Sequence, residues 1–130
     1  MIVYKVVLKT EDGRYVSSTI DKASPFQLEY KVGQPTYPPE ICPMALPMAF
    51  RTLSAAIIFA ALDGETDDAL RTYRKVFLAD ASEVIHVTKA SAHLDGSHLL
   101  DYWKSGVGPT IELGFSSVWC KDITLLGEIE

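Results

Sequence analysis

The hydrophobic pattern of the chain changes period along its length, and those changes predict its elements. Phe26, Leu28, Tyr30 and Val32 alternate with Gln27, Glu29 and Lys31. That period of two predicts a strand with one buried face and one wet face. Residues 2–9 are rich in β-branched and aromatic side chains and contain no breaker, so they predict a first strand. Glu11, Asp12 and Gly13 form a turn signal, with Gly13 free to adopt a left-handed conformation. Arg14 to Ile20 then returns as a second strand, giving a β-hairpin. Alternation also permits Tyr4, Arg14 and Tyr30 to share one face of the sheet.

Residues 33–47 break the pattern. They hold Pro35, Pro38, Pro39, Pro43 and Pro47, five of the seven prolines in the chain. Proline donates no amide hydrogen and disfavours helix in the residue before it, so an extended, irregular loop is expected. The loop is apolar, with Tyr37, Ile41, Met44, Ala45 and Leu46, and is expected to lie along the domain.

Residues 48–51 read as a short strand, and Thr52 suits a helix N-cap. Leu53 to Leu62 follows as a helix, with Gly64 placed for a C-terminal cap. Apart from Ser54, every position from 53 to 62 is apolar. A surface helix normally keeps a polar face. This one has none, so it is expected to be covered on more than one side.

Beyond an acidic loop at 63–68, residues 74–79 and 83–88 predict strands separated by Asp80, Ala81 and Ser82. A short helix is expected at 97–105, with Ser97 as its cap and Leu99, Leu100 and Trp103 on one face. After a breaker at 106–109, residues 111–120 and 123–129 read as the last strands. Strands outnumber helices, and the first are joined by short connections. The expected fold class is α+β: a mostly antiparallel β-sheet packed around one buried apolar helix, with a second short helix, in a single domain over 1–130.

Composition narrows the classes. Of 130 residues, 48% are hydrophobic and 22% charged, which excludes disorder for the bulk of the chain and allows a core without disulfide or metal. Seventeen acidic residues against twelve basic ones give a net charge of −5. The densest basic cluster, Arg71, Arg74 and Lys75, adjoins the acidic loop, so no concentrated positive field exists to bind nucleic acid. No apolar run approaches the ~18 residues of a membrane span, so no membrane partner is expected. The N-terminus opens directly into a strand pattern without a leader signature. The two cysteines, Cys42 and Cys120, are expected to be free, buried thiols in a cytoplasmic protein.

Three pieces of the first half look familiar together. They are Tyr4-Lys5-Val6-Val7, then Glu29-Tyr30-Lys31-Val32-Gly33-Gln34, then Phe50-Arg51-Thr52-Leu53-Ser54-Ala55-Ala56. In these the chain resembles a set of short bacterial, phage and fungal proteins of uncharacterised function. Those share a YKVV-like opening strand, an EYKVG-like later strand, and an aromatic residue before a helix with an early alanine. The resemblance implies one compact domain and carries no activity.

Candidate chemistry is sparse. His93, Asp95 and His98 place two imidazoles and a carboxylate within six residues, with His86 upstream, and these could ligate a metal such as zinc. The competing account is a polar turn leading into the 97–105 helix. Asp63 to Asp68 offers carboxylates, but its glycine and glutamate are misplaced for a calcium loop. Cys42 and Cys120 have apolar neighbours and look poorly ionised, and Ser116 and Ser117 lack the nucleophile-elbow spacing. Gly106 to Pro109 lacks the pattern of a phosphate loop. Ser17-Ser18-Thr19 with Glu128-Ile129-Glu130 superficially resembles ADP-ribosyltransferases, although the order of elements fits poorly.

No cofactor is implied. The preferred expectation is a small non-catalytic binding or interaction module, with Tyr37, Met44 and Leu46 on its surface. The alternative is a small enzyme around His93, Asp95 and His98, metal-dependent or ADP-ribosyltransferase-like. The apolar helix and apolar loop together exceed what one side of a small sheet covers, which suggests a homodimer.

Overall fold

The breaker-free opening segment forms the central strand of the molecule. In a computed structural model that describes residues 1–17, 27–40, 46–62, 74–86, 89–91, 110–112 and 116–129, Ile2–Lys9 is strand β1. Gly13, at φ +86°, supplies the left-handed turn that sends the chain back as β2, Tyr15–Ser17. Next come β3 (Glu29–Tyr30), β4 (Pro35–Thr36), β5 (Met48–Phe50), helix α1 (Leu53–Leu62) and β6 (Arg74–Asp80). The chain continues through β7 (Val84–His86), β8 (Lys89–Ser91), β9 (Thr110–Glu112), β10 (Ser117–Cys120) and β11 (Ile123–Glu128). The architecture is α+β, with a mostly antiparallel sheet and one helix among the described residues.

The main sheet runs β4-β11-β6-β1-β5-β10-β7, and it forks at β1. One edge of β1 pairs along its length with β6, from Ile2 opposite Asp80 to Leu8 opposite Arg74. The other edge is shared. Tyr4 pairs with Phe50 of β5, whereas Val7, Leu8 and Lys9 pair with Ser17, Val16 and Tyr15 of β2. The β2-β3 arm curls away from β5 and returns the chain, through a turn at 31–34, to β4 on the far edge. The result is a half-barrel whose seam lies between β3 and β4. Strands β8 and β9 form a separate two-stranded ladder.

Alternation along β1 sorts two cores. Val3 and Val7 point inward with Tyr30, Phe77, Ala79, Ile123, Leu125, Ala49, Val118 and Cys120. Tyr15 meets Phe77 edge-on there, with ring centroids 4.9 Å apart. Tyr4 and Val6 point outward and meet the helix through Ala55, Ala56 and Phe59, with Phe50 and Met48 of β5 beside them. Thr52 caps α1 as expected, its hydroxyl accepting from the Ala55 amide at 3.3 Å.

Several expectations need correction. The helix spans the expected residues, but the sheet is not packed around it; α1 lies on the outer face with Ala56 buried, while Ile57 and Ile58 are 49% and 56% exposed. A helix apolar at every position but Ser54 thus has a wet flank, because the strands of a half-barrel turn their denser core inward, away from it. The strand expected at 26–32 shortens to Glu29–Tyr30, since Gly33, at φ +82°, turns the chain immediately afterwards. The single strand expected at 111–120 is split between two sheets, as β9 and β10. The second helix expected at 97–105 and the Gly64 cap lie outside the described residues.

Candidate functional site

An open groove of about 260 Å³ lies at the barrel seam. Leu28, Glu29 and Lys31 line it from β3 and its flanks, and Gln34, Pro35, Thr36 and Tyr37 from β4 and its flanks. The turn between them is closed by the Gln34 amide donating to the Lys31 carbonyl at 3.0 Å. Gly33 then donates to the Leu125 carbonyl at 2.8 Å, which seats β4 on β11. Tyr37 stands on the rim, 61% exposed.

Charge at the groove is balanced and mostly solvated. Glu29 accepts from Arg14 at 3.3 Å and lies 4.0 Å from the Lys31 ammonium. Arg14 also meets Asp12 at 2.9 Å. A hydrogen bond from the Thr10 hydroxyl, joined by Arg14, holds the Asp12 carboxyl below its usual range. Pairs this exposed add little to stability.

Lys5 brings a buried cation to the inward face of β1. Lys5, only 7% exposed, sits between the inward positions of Val3 and Val7. Its ammonium donates to the Met48 carbonyl at 2.6 Å and lies 5.2 Å from the centre of the Tyr30 ring. No carboxylate pairs with it among the described residues. Cys120 is fully buried nearby, and burial pushes its thiol up to about 11, despite an opposing effect of Lys5. A thiol so poorly ionised is a structural group and a weak nucleophile.

The residues expected from the sequence fare unequally. Tyr37 lines the groove. Leu46 is half-buried ahead of β5, on the other side of β1 from β4, and does not line it. Met44, Cys42, His93, Asp95 and His98 lie outside the described residues, as does the acidic loop at 63–68. Ser17 is buried, its hydroxyl accepting from the Leu28 amide at 2.9 Å, a structural use. Tyr4, Arg14 and Tyr30 do not share a face: Tyr4 packs toward the helix, Tyr30 inside the barrel, and Arg14 sits at the surface. Among the described residues, no group of three His, Cys, Asp or Glu side chains gathers to hold a metal. Nor is any described helix long and apolar enough to cross a membrane.

Lys31, Gln34 and Thr36 were not foreseen as groove residues. The signal for them was the left-handed Gly33 directly after an alternating strand, which folds both of its flanks toward one surface.

No family model matches the chain, and neither a curated protein nor a solved structure matches it.

Proposed function

We propose that this protein is a small interaction module whose ligand surface is the seam groove between β3 and β4. The observation that carries this reading is Tyr37, an aromatic ring mostly exposed on the rim of a concave surface with Lys31, Gln34 and Thr36 as polar neighbours. Exposed rings beside hydrogen-bonding groups are favoured at recognition surfaces, because they offer a large contact area and orient the ligand. The test is a fragment screen on ¹⁵N-labelled protein. Hits should move amide resonances within 28–37 and be lost in Tyr37→Ala. Hits that cluster elsewhere, unaffected by that substitution, would put the ligand surface in another place.

Self-association is part of the same reading. Ile57 and Ile58 leave an apolar flank on α1, the kind of surface a two-fold partner covers. Light scattering at micromolar concentration should give a dimer, and a mass of 14.3 kDa would remove this element. A cytoplasmic location is supported by the free, buried thiol of Cys120.

A further inference from the structure

The two walls of the groove are sheet edges, and their backbone directions follow from the ladder. In an antiparallel pair, successive residues alternately bond the neighbour and point away from it. The Ser17 amide donates to the Leu28 carbonyl at 3.0 Å, and the Leu28 amide donates back to the Ser17 hydroxyl. Leu28 therefore faces β2, and Glu29 turns its N–H and C=O outward, into the seam. On the opposite wall, the Leu125 carbonyl accepts from Gly33, so Leu125 faces β4, and so does Ile123 two residues earlier. Ile123 meets Thr36. Thr36 is thus directed at β11, and its neighbours Pro35 and Tyr37 point away from it, into the seam. Pro35 offers only a carbonyl; Tyr37 offers both groups. None of these outward groups has a backbone partner among the described residues.

We infer that the seam takes an extended peptide segment of another protein, which adds as a strand against Glu29 and Tyr37. This rests on the groove being the ligand surface and names what fills it. Strand addition supplies main-chain hydrogen bonds at an edge, while side-chain pockets set preference. The preference here follows from the rim. The Lys31 side chain is 67% exposed, and its one described ion pair, to Glu29, is 4.0 Å long, so it has donors left for a ligand carboxylate. Tyr37 offers its ring to an apolar side chain. The segment therefore carries an acidic residue beside apolar ones. Pro38 and Pro39 stop the edge after Tyr37, so contact is short and binding is weak.

The test uses the full chain, ¹⁵N-labelled, titrated with a capped Thr-Val-Glu-Val-Thr peptide. Two copies of that peptide, N-methylated on odd or on even amides, serve as controls. Strand addition predicts that the Glu29 and Tyr37 amides shift and exchange more slowly with solvent. It also predicts that at least one methylated copy binds about tenfold more weakly, because methylation removes the donors the edge needs. If both methylated copies bind like the parent, strand addition is wrong, while the groove remains a ligand surface. No shift within 28–37 at millimolar peptide also overturns it, and the fragment screen then judges the groove by itself. Amides of Glu29 and Tyr37 already protected in a free protein of dimer mass would mean that a second copy occupies the seam, which overturns it too.

Discussion

The ammonium of Lys5 donates to the carbonyl oxygen of Met48 at 2.6 Å, bridging the point where β5 and β2 part from β1. Pro47 directs its carbonyl at Cys120 of β10, so Met48 directs its own at β1. A continuing β1-β5 ladder would satisfy that carbonyl from a backbone amide, but the ladder ends at Tyr4 and Phe50. Lys5 supplies the missing donor. An inward lysine in a hydrophobic strand thereby acts as a substitute for one rung of sheet.

Lys5→Met keeps most of the apolar stem and removes the donor. A buried carbonyl left without a partner costs roughly 1–3 kcal/mol, and losing a desolvated charge offsets part of that. The expected result in urea denaturation is a net loss of about 1–2 kcal/mol. Equal or greater stability would show that Met48 finds its donor elsewhere.

Gly33 is the hinge of the seam. At φ +82° it lies where a Cβ is strained even though open space surrounds it. Gly33→Ala should destabilise by about 1 kcal/mol and loosen β4 from β11, visible as faster exchange of the Gly33-position amide. An unchanged midpoint and unchanged exchange would mean the turn relaxes without strain.

Ile57 and Ile58 separate a monomer from an assembly. In a monomer, replacing both with glutamate should alter stability by no more than about 0.5 kcal/mol per site, as exposed changes usually do. In a dimer formed through this flank, the same double substitution should halve the mass seen by light scattering. A dimer that survives it uses another surface.

Cys120 links stability to alkaline pH. Burial raises its folded value from 9.0 to about 11, so the folded thiol keeps its proton after the unfolded one has lost it. The unfolded state is then favoured as pH rises, and stability should fall between about pH 9 and 11, by at most ~1.4 kcal/mol per unit. In a Cys42→Ser background, the thiol should react with a disulfide reagent far more slowly in native protein than in denaturant. Equal rates would place Cys120 in contact with solvent.

Much of this architecture was legible because it depends on local patterns. The hairpin followed from Gly13 between two β-rich runs, and the cap and length of α1 followed from Thr52 and ten consecutive helix-compatible residues. What escaped depends on partners distant in sequence. The helix pattern reports that Ile57 and Ile58 are apolar, but not that the sheet curls its core away from them. Lys5 shares its face with the inward Val3 and Val7, and only the fork at β1 supplies the Met48 carbonyl that makes a lysine fit there. The groove was visible only through Tyr37, since its other wall reaches Tyr37 through the turn at Gly33.

Strand β1 has its longest pairing with β6, where Ile2 meets Asp80 and Leu8 meets Arg74. During synthesis its hairpin partner β2 emerges almost at once, but that covers only the end near Lys9. The opposite margin of β1 stays open until β6, which begins only at Arg74, has been made. Such distant pairings slow folding and leave an unpaired margin that invites aggregation. Ribosome-bound chains ending before β6 should therefore recruit holdase chaperones, and chains extending past β11 should release them.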